Sequence, residues 1–180
     1  MSLFYTGKGD AGSSDVGKKK IPKDSSILEV LGELDELNSL IGVTRSSVQD
    51  QTVQKKLKHV QEALFVIQAR VAWIMFPEYP AKQLTQERIV ELEQEIDAIE
   101  AIIQPERGFV ISGEHATAAQ LDYIRAVSRR VERKIDALHK EYPLAPEILA
   151  YMNRLSSYLY ALARLEIFQE HIKESKPNYE

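Results

Sequence analysis

Apolar residues recur at three- and four-residue intervals in five stretches of the chain, and each stretch reads as a helix with one buried stripe. In the first, Ile27, Val30, Leu31, Leu34, Leu37 and Ile41 share a face. Ser26 followed by Glu29 has the spacing of a capping box, so this helix is predicted from Ser26 to about Ser46. The second runs from about Gln51 to Phe76. From Ala63 onward it is apolar on nearly every side, as suits a helix enclosed by others, and Pro77 and Pro80 stop it. A third starts near Thr85, whose hydroxyl is placed to cap Gln86 to Arg88, and carries Ile89, Leu92, Ile96, Ile99 and Ile103 inward until Pro105 and Gly108. The fourth buries Leu121, Ile124, Val131, Ile135 and Leu138 and ends near Lys140. The fifth opens at Pro146, a favoured first helical residue, and reaches about Lys173 through Ile148, Met152, Leu155, Leu159 and Leu162.

Outside these stretches the pattern fails. Residues 1–24 are rich in Gly, Ser and Lys and too poor in apolar residues to fold alone, which predicts a loop. The tail from Glu174 is expected to fray. With no strand-like alternation, the chain reads as one all-α domain over residues 1–180, with a 1–24 loop, a 25–173 bundle and a 174–180 tail.

Composition narrows the function. The net charge of -4 is spread over interleaved acids and bases, so no broad basic field attracts nucleic acid and any phosphate site must be local. The most apolar window, Ala63 to Phe76, is interrupted by Gln68 and Arg70 and is too short to span a bilayer. Cysteine is absent, and Lys8 and Asp10 precede any apolar run, which points to a cytoplasmic protein. The four histidines lack zinc-ligand spacing and no Glu-x-x-His motif occurs, so no protein-ligated metal is expected.

Several polar groupings remain as candidate chemistry. On the fourth helix Arg125, Arg129, Glu132 and Asp136 line one face, flanked by Arg130 and Arg133; this is either a solvated ion-pair face or an anion site. Asn153, Ser157, Tyr160 and Arg164 make a similar stripe on the fifth. Thr6, Gly7, Lys8, Gly9, Asp10 and Ser14, with Lys18, Lys19, Lys20 and Lys23 behind, combine turn-forming glycines, hydroxyls and cations, which fits either a phosphate cradle or a plain tail. It is not a Walker A loop. Asp35 and Asn38 lie between Gly32 and Gly42, two helix-interior glycines that suggest close approach by a backbone or ligand. Phe109, Val110 and Ile111 put apolar residues in a connection that is normally polar.

In order along the chain stand Tyr5-Thr6…Gly9-Asp10-x-Gly12-x-Ser14, Lys23-Asp24-Ser25, Gly32-x-x-Asp35-Glu36-Leu37-Asn38-Ser39-x-Ile41-Gly42, Arg125-x-x-x-Arg129-Arg130-x-Glu132-Arg133 and Asn153-Arg154-Leu155-Ser156-x-Tyr158-Leu159. Over nearly its full length the chain closely resembles the PduO-type ATP:cob(I)alamin adenosyltransferases. The resemblance implies a five-helix up-and-down bundle of ferritin-like or cobalamin adenosyltransferase-like form with an N-terminal nucleotide-binding loop. It implies a homotrimer that binds ATP with Mg2+ between subunits and transfers the 5′-deoxyadenosyl group to cob(I)alamin. A cob(II)alamin reductase and a cobalamin-dependent mutase or dehydratase are the partners it suggests. The alternative is a divergent ATP- or corrinoid-binding delivery protein without turnover.

Residue by residue, the resemblance gives Thr6, Gly7, Lys8, Gly9, Asp10, Ser14 and Lys23 to ATP from the loop, and Arg129, Arg130, Glu132, Arg133 and Asn153 to the nucleotide from the helices. It pairs Asp35 with Arg125 across a subunit interface. Phe109 matches the aromatic residue that wedges under the corrin ring and displaces its lower axial ligand. The chain departs from the family pattern where Val110-Ile111-Ser112-Gly113-Glu114 replaces a run close to Ile-Leu-Pro-Gly-Gly, and where Asp122 stands in place of a common histidine.

Overall fold

The computed structural model describes residues 4–5, 7–16, 19–106 and 108–179, with side chains omitted at 15 and 16. Five helices, α1 (Ser26–Ser47), α2 (Gln51–Trp73), α3 (Gln86–Ile103), α4 (Ala116–Glu141) and α5 (Pro146–Gln169), pack around one apolar core. Leu34, Leu57, Leu64, Leu121, Ile135, Leu155 and Leu162 are fully buried in it. Side-chain pairs set the helix directions. Glu29 meets Lys134 and Glu33 meets Arg130, so α1 and α4 are antiparallel. Glu132 meets Asn153 and Asp122 meets Arg164, so α4 and α5 are antiparallel as well. Glu93 with Arg154 and Glu95 with Tyr158 put α3 parallel to α5, and the result is an up-and-down bundle.

Helix ends differ from expectation where a local hydrogen bond decides the boundary. Ser25, not Ser26, caps α1: its hydroxyl accepts from the Leu28 amide at 3.4 Å, while the Ser26 hydroxyl donates to Glu141 on α4. Thr85 precedes α3 but makes no side-chain cap bond; its hydroxyl donates to the Glu87 carboxylate and holds it below the usual range. α2 ends at Trp73 and runs on to Phe76 only as three-residue turns. α5 stops at Gln169, four residues short of the predicted end.

Two further expectations are corrected. The N-terminal segment is not simply a loop: β1 (Ser13–Val16) and β2 (Lys19–Pro22) form an antiparallel hairpin with Ser14 opposite Ile21. The tail is not frayed. The Ile111 amide donates to the Ser175 carbonyl at 2.8 Å, and Lys176 pairs with Glu106 at 2.7 Å, each raising or lowering the other's pKa toward the charged form. Among the described residues no helix is long and apolar enough to cross a membrane.

Candidate functional site

The arginines of α4 divide by the side of the helix they occupy. Arg130 faces α1, where its Nε lies 2.8 Å from Glu33 and its Nη2 2.5 Å from Glu36; these hydrogen bonds raise the guanidinium pKa. Arg125 is half-buried, with Nε 3.5 Å from Asp122 Oδ1 and its guanidinium 5.9 Å from the Tyr160 ring centre. Arg129 and Arg133 are exposed, and neither has a carboxylate within ion-pair distance among the described residues. Arg125 and Arg129 open onto a cleft of about 340 Å³ whose wall is apolar at Ile96 and Ile103 and polar at Glu100, Ser156, Ser157 and Tyr160. Cations, hydroxyls and an apolar wall in one cleft suit an anion that carries a ring. Beside it, Asn153 donates to Glu132 at 2.9 Å and accepts from Arg154 at 2.6 Å, so two expected nucleotide residues do meet.

Phe109 stands 77% exposed over a second hollow, of about 350 Å³, shared with Asp122, Arg125 and Tyr160. Ile111, 50% exposed two residues on, extends the apolar surface beside the ring. Below the hollow Arg164 is almost completely buried, paired with Asp122 Oδ2 at 2.5 Å and with Glu174 of the tail, and lies 4.9 Å from the Tyr160 ring centre. The polar stripe on the fifth helix held Tyr160 and Arg164 as surface candidates; their link to the tail and to Phe109 had no periodic signal to reveal it.

At the N-terminus Gly7 (φ 68°) and Gly12 (φ 80°) take left-handed conformations that bracket the Lys8-Gly9-Asp10 turn. A Cβ on Gly9 would lie 3.3 Å from the Lys23 Nζ, so the missing side chain lets that lysine lie across the turn. Ser14 sits in β1, and Thr6 lies outside the described residues. Lys19, expected among the cations of the cradle, instead anchors the hairpin. Its Nζ donates to the Met75 carbonyl at 2.5 Å and lies 5.6 Å from the Phe76 ring centre.

Asp35 is exposed on α1, without an ion pair among the described residues, and within one chain Arg125 takes Asp122 as its carboxylate. Of the two glycines in α1, Gly42 is approached by Gln61, which also donates to the Asn38 carbonyl at 2.9 Å; a Cβ on Gly32 would meet nothing. The hairpin leans on the end of α2, whereas Phe109 precedes the first residue of α4 at the other end of the bundle. With 26 residues, α4 is about 39 Å long. The glycine turn and the aromatic loop therefore do not meet within one chain. Among the described residues no group of three His, Cys, Asp or Glu side chains is arranged to hold a metal.

The protein is an up-and-down helical bundle in which Arg125 and Arg129 of α4 border a partly apolar cleft, a setting compatible with an anionic ligand. Comparison makes the assignment specific: residues 4–166 match the model of the cobalamin adenosyltransferase family, and the chain belongs to that family. It is 36% identical over 168 residues to the corrinoid adenosyltransferase of Citrobacter freundii, which spans 92% of this chain and 96% of that one. It is 32% identical over 170 residues to the corrinoid adenosyltransferase PduO of Salmonella typhimurium, covering 93% of this chain but 51% of the relative. Among solved structures, a phenylalanine-to-histidine variant PduO-type ATP:corrinoid adenosyltransferase from Lactobacillus reuteri, complexed with cobalamin and ATP, superposes with a TM-score of 0.90 at 28% identity, covering 98% of this chain and 97% of that one.

Proposed function

We propose that this chain is an ATP:corrinoid adenosyltransferase that moves the 5′-deoxyadenosyl group of ATP to the cobalt of cob(I)alamin. The electron pair of cobalt(I) forms the bond to C5′ while the C5′–O5′ bond breaks, and its electrons leave with tripolyphosphate. Cob(I)alamin supplies the nucleophile. The protein must align C5′ with cobalt and hold the negative charge of the leaving group, which is work for positioned cations rather than for a general base.

The observation that carries this reading is the pair of exposed α4 arginines, Arg129 and Arg133, for which the described residues offer no carboxylate. They serve the triphosphate together with Mg2+. Glu132 and Asn153, already hydrogen-bonded to each other, complete the nucleotide contacts. Arg130 is held by two carboxylates of α1 and contributes by fixing α4, with any phosphate contact requiring exchange of those partners. Gly7, Lys8, Gly9, Asp10, Ser14 and Lys23 enclose the phosphates from the N-terminal side, joined by Thr6. Because that segment docks on α2 while Arg125 and Arg129 open toward α3 and α5, the cradle of one copy closes over the arginines of another. This supports sites shared between copies; the family resemblance is what makes the assembly a homotrimer and sets Asp35 against Arg125 of a neighbour. Phe109, exposed above the hollow, packs under the corrin ring.

The test is to mix the protein with ATP, Mg2+ and chemically reduced cobalamin and follow the light-sensitive adenosylcobalamin spectrum. Product formation supports the assignment. Tight ATP binding without product would mark a cofactor-delivery protein instead.

A further inference from the structure

We propose that Arg164, Asp122 and Glu174 are positioning residues for the corrinoid side of the site, and that the C-terminal segment 174–176 is the latch that sets them. The proposal rests on the adenosyltransferase reading for its consequence, though not for its geometry.

Arg164 is 6% exposed, so its charge must be met inside the protein. Asp122 Oδ2 takes one guanidinium nitrogen at 2.5 Å and Glu174 takes the other. The second oxygen of the same Asp122 faces Arg125 Nε at 3.5 Å. One carboxylate therefore lies between a buried arginine, to which it is hydrogen-bonded, and the arginine that opens onto both hollows, with which it makes an ion-pair contact, and through it Arg164 biases the place of Arg125.

The residues after Glu174 grip the Phe109 loop on both shoulders. Lys176 pairs with Glu106 before the aromatic residue. Beyond it, the Ser175 carbonyl accepts from the Ile111 amide, and the Ser175 hydroxyl donates to Glu114. Three consecutive tail residues thus bear on Arg125 through the Arg164–Asp122 pair and on Phe109 through its loop, which are two walls of one hollow. Stability alone does not account for the arrangement. Exposed pairs such as Lys176 with Glu106 contribute little, and a buried ion pair is often no more stabilising than an apolar replacement. Holding two walls in register removes loop freedom that a large flat ligand would otherwise have to freeze on binding.

Arg164 substitutions risk unfolding the core, so the test uses Glu174→Gln in the full chain, with Glu174→Asp as the conservative variant. The Ile111 amide should exchange faster in Glu174→Gln, with Tm lowered only modestly because Asp122 still meets the Arg164 charge. The corrinoid KM should rise roughly five- to tenfold while the ATP KM stays within about twofold, and Glu174→Asp should recover most of the difference. An unchanged Ile111 exchange rate overturns the latch, whatever the activity. A corrinoid KM that does not move, or one that rises only in step with the ATP KM and a lowered Tm, overturns the positioning role. An inactive parent protein would instead sink the adenosyltransferase reading, and the exchange measurement would still decide on the latch.

Discussion

On the seam between α2, α3 and α5, Lys56 and the Tyr158 hydroxyl both reach Glu95, the latter at 2.8 Å; on the outer face of α4, Arg129 and Arg133 reach no acid among the described residues. The phenol of Tyr158 is 2% exposed, and burial together with its bond to Glu95 pushes its pKa up, so it stays a donor. Both regions contain charge. In the seam Lys56, Glu95 and Tyr158 answer one another within the chain, as most buried polar groups do. On α4 water meets the two exposed guanidiniums, and like charges one turn apart repel weakly, a cost that a bound anion would reverse.

Substitutions can break that contrast. Arg129→Ala should reduce kcat/KM for ATP most, by a transition-state loss on the order of 1.5–3 kcal/mol, with Tm unchanged; unaltered kinetics would return Arg129 to a merely solvated face. Phe109→Ala should leave the ATP KM and Tm alone, since the ring is exposed, yet slow turnover from cob(II)alamin more than from cob(I)alamin. Equal slowing from both cobalt states would contradict the wedge role. Tyr158→Phe reverses the pattern: urea unfolding should show a loss of about 1 kcal/mol, with both KM values intact.

The smallest effect concerns a buried carboxylate away from that seam, near His115 and Asp50. Glu166 is buried with Oε1 unmatched, and desolvation raises its pKa despite the lowering influence of His115, with Asp50 and Glu170 raising it further. A carboxyl with a raised folded pKa favours the native state fully below its unfolded pKa of 4.5, and that contribution is lost as pH rises through the folded value. Glu166→Gln should therefore raise Tm modestly near pH 7, and the gain should fade as pH drops toward 4.5; a gain that persists at low pH would contradict the burial argument.

The helices were legible because each repeats one apolar stripe over many turns: Ile27 to Ile41 in α1 and Leu121 to Leu138 in α4 define their buried faces unaided. Ends were less so, since Ser25 and Ser26 are chemically alike and only the contact with Glu141 tells which of them caps. The hairpin escaped the pattern because its pairing is a backbone matter and β2 is largely exposed, leaving no alternation to read. At the site, the arginine face and the apolar loop stood out in sequence. Their division of labour did not: Arg130 and Arg129 are neighbours in the chain, and only helix rotation sends one to Glu33 and the other to the cleft. Asp122 and Glu114 were visible as departures from the family pattern, and both prove to be anchors of the tail network, made across 42 and 61 residues of sequence.

The sole tryptophan, Trp73, closes α2 with the Arg70 guanidinium 4.7 Å from its ring centre, two residues before the carbonyl that receives Lys19. Its indole fluorescence is thus a native optical probe at the edge where the hairpin docks. Any rearrangement there when nucleotide arrives changes the polarity and quenching around a single emitter, which can be followed in stopped flow without attaching a dye.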